Sequence, residues 1–402
     1  LITGNPIYLI GFFLSYYYMK NGNYRMIAVT LYGLEEILAK ELKLLGSQKT
    51  NILNRAVEFH GDLGFMYKAN LNLRTAIRVL KPIFSFRAAN EDELYRQVTS
   101  FNWTEYISVD DTFAIYTSGY SDTFSHTHYT SLKTKDAIVD LFRKKYNKRP
   151  SVKTENPDIQ INVHVNNHDF SISLDSSGES LHKRGYKVST VEAPISEVLA
   201  AGLVLLSQWN EIDDLYDPMC GSGTILIEAA MIAYNIPPNI FRKRFGFEGW
   251  KDFDEDLWDK IKNVSLEKEK DYHGDISGSD YMQKSLRSCR KNINSALMRN
   301  EISVDMIDFF DSTKNSSHVI FNPPYGERMD LGVDEFYKRI GDTLKNNYQG
   351  CTVWIISSDI ENVKMIGLKP SNKIKIYNGP LECVFLSFEV YEGSRKRNKK
   401  TK

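Results

Sequence analysis

The sequence predicts an α/β protein: a doubly wound, mostly parallel sheet closed by an antiparallel hairpin, preceded by smaller α+β units. Three observations predict it. From residue 192 onward, short apolar strands alternate with helical stretches, the pattern of a parallel sheet covered on both faces. A glycine-containing turn follows the first of these strands and opens a helix. Before residue 192, strands and helices mix without regular alternation. A length of 402 residues suggests two to three domains at roughly 150 residues each.

The elements follow in order. Met26 to Thr30 reads as a strand. From Gly33 to Leu45 the residues Leu34, Ile37, Leu38, Leu42 and Leu45 share one helical face, with Gly46 as the stop. Arg55 to Phe59 alternates as a second strand, and 63–81 is expected to be helical up to Pro82. Strands are expected at 83–86, 112–116, 159–165 and 169–174, with helices at 91–100 and 129–146 between them. Pro194 suits the first turn of a helix whose apolar positions run from Ile195 to Trp209. Then come strands at 215–216, 276–279, 302–307, 319–321 and 352–357, with helices at 224–234, 282–297 and 335–345. Strands 373–377 and 384–391 flank Asn378-Gly379-Pro380 as a terminal hairpin. Residues 236–274 read as an insertion.

Composition narrows the function classes. A charged fraction of 25% and 12% aromatics exclude a mainly disordered, collagenous or coiled-coil chain. The apolar run 7–18 is too short to span a membrane and lacks the flanks of a signal peptide. Residues 1–23 are expected to be a leader outside the fold, with Met19 as a candidate start. The four Cys show no pairing or metal spacing, so a reducing cytoplasm and structural thiols are expected, with no metal. Net charge is zero, yet residues 131–153 hold eight Lys/Arg against two Asp, and 393–402 hold six Lys/Arg and no acid. Two basic blocks in an otherwise acidic chain form a patch suited to nucleic acid, or a solvated helix face and a soluble tail.

Four constellations carry chemistry. Asp217-Pro218-Met219-Cys220-Gly221-Ser222-Gly223 follows a strand and opens a helix, so its backbone can approach a ligand at the helix N-terminus. No Gly-Lys-Ser/Thr follows, which excludes a phosphate loop, and the third Gly of a dinucleotide fingerprint is absent. Asp280 closes the next strand, where a carboxylate can accept ribose hydroxyls; alone it would read as a cap. Asp308 closes the third strand, with Phe309 beside it; it could take an adenine amino group, or cap a helix. Asn322-Pro323-Pro324-Tyr325 follows the fourth strand. The two prolines fix the turn. The Asn amide oxygen and the Pro323 carbonyl can both accept from one exocyclic NH₂, and Tyr325 offers a flat face to a flipped base.

Together these motifs resemble class I S-adenosylmethionine-dependent methyltransferases of the amino-methylating kind, with a Rossmann-like sheet over about residues 190–391. The resemblance implies cofactor binding by Asp217, Pro218, Gly221, Gly223, Asp280, Asp308 and Phe309, and catalysis by Asn322, Pro323, Pro324 and Tyr325. Leu71 to Arg78, Ser118 to Asp122 and Lys135 to Asp140 resemble a THUMP RNA-binding domain. With Leu181-His182-Lys183-Arg184-Gly185-Tyr186, Phe245 to Trp258 and Asn378 to Cys383, the order is similar to the bacterial 23S ribosomal RNA guanine-N2 methyltransferases of the RlmL kind.

That resemblance implies a ferredoxin-like unit at 24–65, a THUMP domain at 66–177 and a methyltransferase domain at 186–392, between 1–23, expected from its pattern to be upstream readthrough or a leader, and the basic tail at 393–402. It implies 23S ribosomal RNA or a precursor large subunit as partner, held by Lys133, Lys144, Lys145, Lys148, Arg149 and Arg184. A second methyltransferase domain, fused in some members, is not expected here. The competing readings are methylation of DNA adenine N6 or a transfer RNA guanosine, and a non-catalytic ribosome-assembly factor. A cysteine-nucleophile mechanism is disfavoured, because no Cys stands where Asn322-Pro323-Pro324 does.

Overall fold

A computed structural model describes residues 22–124, 126–190, 195–313, 317–324 and 332–391. Most of the leader, Pro194, Tyr325 and the basic tail lie outside these residues. The described chain divides into two compact units. One comprises the chain up to Thr30, Leu38–Leu181 and Arg242–Val264; the other comprises Leu31–Ile37, His182–Phe241 and the chain from Ser265.

The first unit is built on an eight-stranded sheet of order β2-β3-β1-β4-β8-β7-β5-β6. Its strands are β1 (Tyr24–Thr30), β2 (Thr50–Leu53), β3 (Ala56–Gly61), β4 (Ala76–Arg87), β5 (Thr112–Tyr120), β6 (Ser151–Val152), β7 (Ile159–Asn166) and β8 (Asp169–Asp175). Helix α1 (Glu35–Leu45) buries Leu38, Ala39 and Leu42, the face its spacing predicts. Helix α2 (Leu63–Asn72), capped by Asp62, is shorter than expected. The backbone turns extended at Leu73, and 76–81 is strand rather than helix. It runs on through Pro82 to Arg87, and the register shift between Pro82 and Phe84 lets the ladder pass a residue with no N–H to give. The short strands β2 and β6 carry too few apolar residues to be seen in sequence. Helices α3 (Glu91–Ser100) and α4 (Thr127–Tyr146) end as predicted.

The second unit is a seven-stranded sheet of order β11-β10-β9-β12-β13-β15-β14. These are β9 (Leu215–Asp217), β10 (Ile276–Ser279), β11 (Ile302–Asp305), β12 (His318–Phe321), β13 (Thr352–Ser357), β14 (Asn372–Asn378) and β15 (Leu381–Glu389). The strands from β11 to β13 pair in parallel, and β15 and β14 add antiparallel. Helix α5 (Glu197–Leu206) starts at a Ser196 cap, and Trp209 lies beyond its end, donating Nε1–H to the Asp213 carbonyl. Helix α6 (Thr224–Ala233) is buried along its whole length, as its almost unbroken apolar sequence requires. Helices α8 (Gln283–Ser295) and α9 (Val333–Asn347) are amphipathic, and α7 (Glu255–Leu266) lies in the insertion. β11 stops at Asp305, so Asp308 lies past the strand, and a single 3₁₀ turn, Phe309–Asp311, follows it.

Candidate active site at the carboxyl edge of the parallel sheet

The strand order reverses at β9: the chain moves outward through β10 and β11, then returns to β12 on the other side. Ligands of open α/β sheets bind outside the carboxyl ends of the strands at such a switch point. The four sequence motifs follow the carboxyl ends of β9, β10, β11 and β12. At the usual strand separation those ends span about 15 Å.

Asp217 is buried and its Oδ1 accepts from the Met219 N–H at 3.1 Å, which turns the chain out of β9. Gly221 and Gly223 take positive φ, 55° and 78°, and Gly223 is the N-cap of α6. A side chain at Gly223 would stand 2.5 Å from the Cys289 Sγ. The turn is tied to β10: the Cys220 N–H donates to the Ser279 carbonyl at 2.9 Å, and the Ser279 hydroxyl donates to the Pro218 carbonyl at 3.3 Å. Gly278, level with Asp217, admits this close approach, since a Cβ there would meet the Asp217 carbonyl at 3.0 Å.

Asp280 faces the same turn. Its Oδ2 accepts from the Gly221 N–H at 3.0 Å and its Oδ1 from the Met282 N–H at 2.8 Å. Burial raises the Asp280 carboxyl above its ordinary value, opposed by those two amides and the Ser285 hydroxyl. Burial pushes Asp217 well above the carboxylate range, and the Asp280 charge adds to it. Asp308 is half-buried and caps the following turn through the Phe310 N–H at 2.9 Å, the simpler of its two sequence readings. Asn322 follows β12 directly and is half-buried; Pro323 is buried and Pro324 half-buried. The edge is therefore acidic, with an open helix N-terminus and a proline-fixed Asn beside it.

Comparison with known proteins agrees with this architecture. Residues 184–387 match the RMKL-like methyltransferase domain, 88–175 the THUMP domain and 25–80 the RlmL ferredoxin-like domain. The chain belongs to the RMKL-like methyltransferase family. It is 37% identical over 364 residues to a Synechocystis sp. protein described as a "putative RNA methyltransferase", covering 89% of this chain and 95% of that one. Among solved structures it resembles "a putative methyltransferase complexed with SAH", with 30% identity, a TM-score of 0.81 and 93% and 100% of the two chains covered. It also resembles a "predicted N6-adenine-specific DNA methylase" from Listeria monocytogenes, with 28% identity, a TM-score of 0.80 and 94% and 98% covered.

Two sequence-predicted residues of this methyltransferase need correction. Phe309 cannot lie against a ligand ring, because it is 2% exposed and packed among Phe310, Phe321 and Tyr348. The apolar groups exposed beside the two acids are instead Tyr281, Met282, Met306 and Ile307. Arg184 is not an RNA contact. It is fully buried, 3.5 Å from the Glu228 carboxylate, and donates to Asn239 Oδ1 at 3.0 Å. Tyr186 donates to the same Glu228 oxygen at 3.0 Å. The sequence signal was Glu228 itself, the one acid in an otherwise apolar helix.

The other basic residues fare differently. Lys144 and Lys145 close α4, and Lys148 and Arg149 follow its left-handed Asn147 cap; all four are exposed. Lys133 lies over the Tyr95 ring at 5.5 Å. All four Cys are buried free thiols; Cys220 and Cys289 meet, and that contact with burial pushes the Cys220 thiol up, leaving it protonated and structural. Sequence reasoning missed Asn292, a buried side chain on α8. Its amide oxygen accepts from the Val188 and Ser189 N–H groups at 3.0 and 2.9 Å. Its NH₂ donates to the Ser189 and Ser222 carbonyls at 2.8 and 2.9 Å, so every hydrogen-bonding site of the amide is used to hold the glycine turn against 188–189.

Proposed function

We propose that this chain transfers a methyl group from S-adenosylmethionine to the exocyclic N2 of a guanosine in 23S ribosomal RNA. The observation that carries the reading is Asn322-Pro323-Pro324 at the carboxyl end of β12, beside the Asp217–Gly223 turn, in a chain that also matches a THUMP domain. The similarity to a protein described as an RNA methyltransferase supports RNA as the substrate class.

The donor supplies a methyl on a cationic sulfur, electrophilic without a metal. Asp217, Pro218, Gly221 and Gly223 form the turn that holds its amino-acid end near the α6 N-terminus. Asp280 accepts the ribose hydroxyls. Two backbone amides occupy two of its roughly four acceptor sites, and the other two are left for the diol. Asp308 accepts from the adenine amine, and the exposed Tyr281, Met282, Met306 and Ile307 offer apolar surface in place of Phe309. The acidic edge favours a cationic ligand.

On the acceptor side, the Asn322 amide oxygen and the Pro323 carbonyl accept from the guanine NH₂. This turns the nitrogen lone pair toward the methyl and stabilises charge as it develops on nitrogen; the proton is lost during or after transfer. Tyr325 stacks on the flipped base. Lys133, Lys144, Lys145, Lys148 and Arg149 contact phosphates and set no sequence preference by themselves.

Single-turnover transfer of labelled methyl to ribosomal RNA, followed by nucleoside digestion, tests the reading. Label is expected in N2-methylguanosine. Asn322→Ala is expected to slow transfer by about 100-fold, by analogy with loss of one preorganised contact, with cofactor affinity nearly unchanged. The second reading is adenine N6, favoured by the description of the Listeria protein. Label in N6-methyladenine would select it, and cofactor binding without transfer to any nucleic acid would select an assembly factor.

A further inference from the structure

The eight-stranded sheet has two unlike faces in its β4-β8-β7-β5 portion. One is apolar and packed under helices: Phe113, Ile161, Val163, Val165, Phe170 and Ile172 are buried, and the Thr117 hydroxyl meets that of Ser131 on α4 at 2.7 Å. Successive strand residues alternate between faces, so Tyr116, Ser118 and Tyr120 of β5 stand on the opposite face. Opposite them in register are Asn162, His164 and Asn166 of β7.

This second face is open around Ser118, Tyr120, His164 and Asn166, whereas its other end, at Gln160, Ser173 and Asp175, is buried. Tyr116 is 41% and Tyr120 70% exposed, and Ser118, His164 and Asn166 are exposed as well. Its rings are held in place by their polar ends. The Tyr116 hydroxyl donates to the Thr154 carbonyl at 3.2 Å, the Tyr120 hydroxyl to Asp122 at 2.5 Å, and His164 Nδ1 lies 3.3 Å from the Ser118 hydroxyl. Gly119 allows β5 to reach Tyr120. It sits at φ 100°, and a Cβ there would stand 1.9 Å from the Val165 carbonyl.

We propose that this face is a stacking platform for the unpaired bases of a single-stranded RNA segment, with Tyr116, His164 and Tyr120 as its rings. The two tyrosines are four positions apart along the strand, about 13 Å, and His164 stands across from the midpoint. Such a row suits two or three successive bases laid over a sheet, a recurrent mode of single-strand recognition. Charge complementarity names the occupant. The platform borders the basic edge formed by Lys148, Arg149 and Lys153, all exposed, and the Tyr116 hydroxyl bond to Thr154 sets its ring beside that edge. Of the acids nearby, Asp122 is engaged by Tyr120 and Asp169 by Arg87 at 3.1 Å, while Glu155, next to Thr154, is exposed and offsets part of the basic edge. Bases would stack on the face while phosphates follow the edge. The inference rests on the RNA part of the reading above, not on which atom is methylated.

The test measures affinity of the full-length protein for a fluorescein-labelled oligouridine and for an RNA duplex of equal length, across salt concentrations. Tyr120→Ala and His164→Ala are each expected to weaken oligouridine binding by about tenfold and duplex binding far less, with an unchanged salt slope, because stacking releases no counterions. Tyr120→Phe, which keeps the ring, is expected to bind as the parent does. Unchanged oligouridine affinity in Tyr120→Ala and His164→Ala, equal losses for duplex and single strand, or a loss confined to ribosomal particles would each overturn the platform, the last pointing to a protein partner. Methyl transfer to guanosine read on the same proteins separates this failure from failure of the enzymatic reading.

Discussion

At the scale of single residues, the site is governed by two carboxyls that share one turn. Asp280 holds the Gly221 N–H and is expected to hold the donor's ribose as well. Asp280→Ala removes a charged acceptor and should weaken cofactor affinity by about 1.5–3 kcal/mol in calorimetry, with RNA affinity unmoved. Asp217 makes a prediction about pH. Its carboxyl is raised in the folded chain by burial and by Asp280, so the folded state keeps a proton that the unfolded chain has already lost. Stability from this group is therefore present below the unfolded value of about 4 and is lost as pH rises through the raised folded value. Asp217→Asn keeps the acceptor for Met219 without the charge. In the absence of cofactor, the melting temperature of the variant should gain on the parent as pH rises from 4 to 8. A difference that stays constant over that range would remove Asp217 as the titrating group.

At the scale of elements, the basic block closes α4 and continues just past its cap. Neutralising Lys144, Lys145, Lys148 and Arg149 together should flatten the dependence of RNA affinity on salt by roughly 0.7 log units per lost phosphate contact, and leave cofactor affinity alone. An unmoved slope would make the block a solvated helix face. Elements with a clean period were legible in the sequence: α3, α4, β10 and β13 lie where apolar spacing puts them. The errors have physical causes. Residues 76–81 alternate poorly, because much of β4 is only half-buried, so their pattern reads as a continuing helix, while 83–86 reads as the strand it is. β11 was extended to Ile307 because Met306 and Ile307 are apolar, yet both are exposed at the sheet edge. The placement of side chains was legible where a motif followed a strand: Asp217, Asp280 and Asn322 all stand at the carboxyl edge of the sheet. It was not legible where a partner lies far along the chain: Arg184 reads as a phosphate contact because Glu228, which neutralises it, comes 44 residues later. Asn292 escaped for the same reason, since all its partners are backbone groups 70 to 104 residues away.

At the scale of the whole molecule, the insertion within the second half of the chain completes the core of the first unit. Tyr67 on α2 packs tilted against Phe247 at 4.3 Å and meets Phe253 and Trp258 edge-on at 6.0 Å each. Its hydroxyl accepts from the Asp254 N–H at 3.0 Å. Gly246 makes the approach possible, because a Cβ there would strike the Asp175 carbonyl at 2.4 Å. A segment that interrupts a methyltransferase sheet in sequence therefore acts as core for the unit that carries the THUMP domain. Phe247→Ala follows from this. Phe247 is 1% exposed, and truncating a buried phenylalanine costs about 3–5 kcal/mol. That loss should fall on the unit in which the ring is packed. Hydrogen exchange is expected to accelerate across α2, β4 and β8, while β9, β12 and β13 keep their protection, and cofactor affinity should hold while RNA affinity drops. Faster exchange in the methyltransferase strands, with the N-terminal sheet protected as before, would show that the aromatic cluster supports the sheet it interrupts.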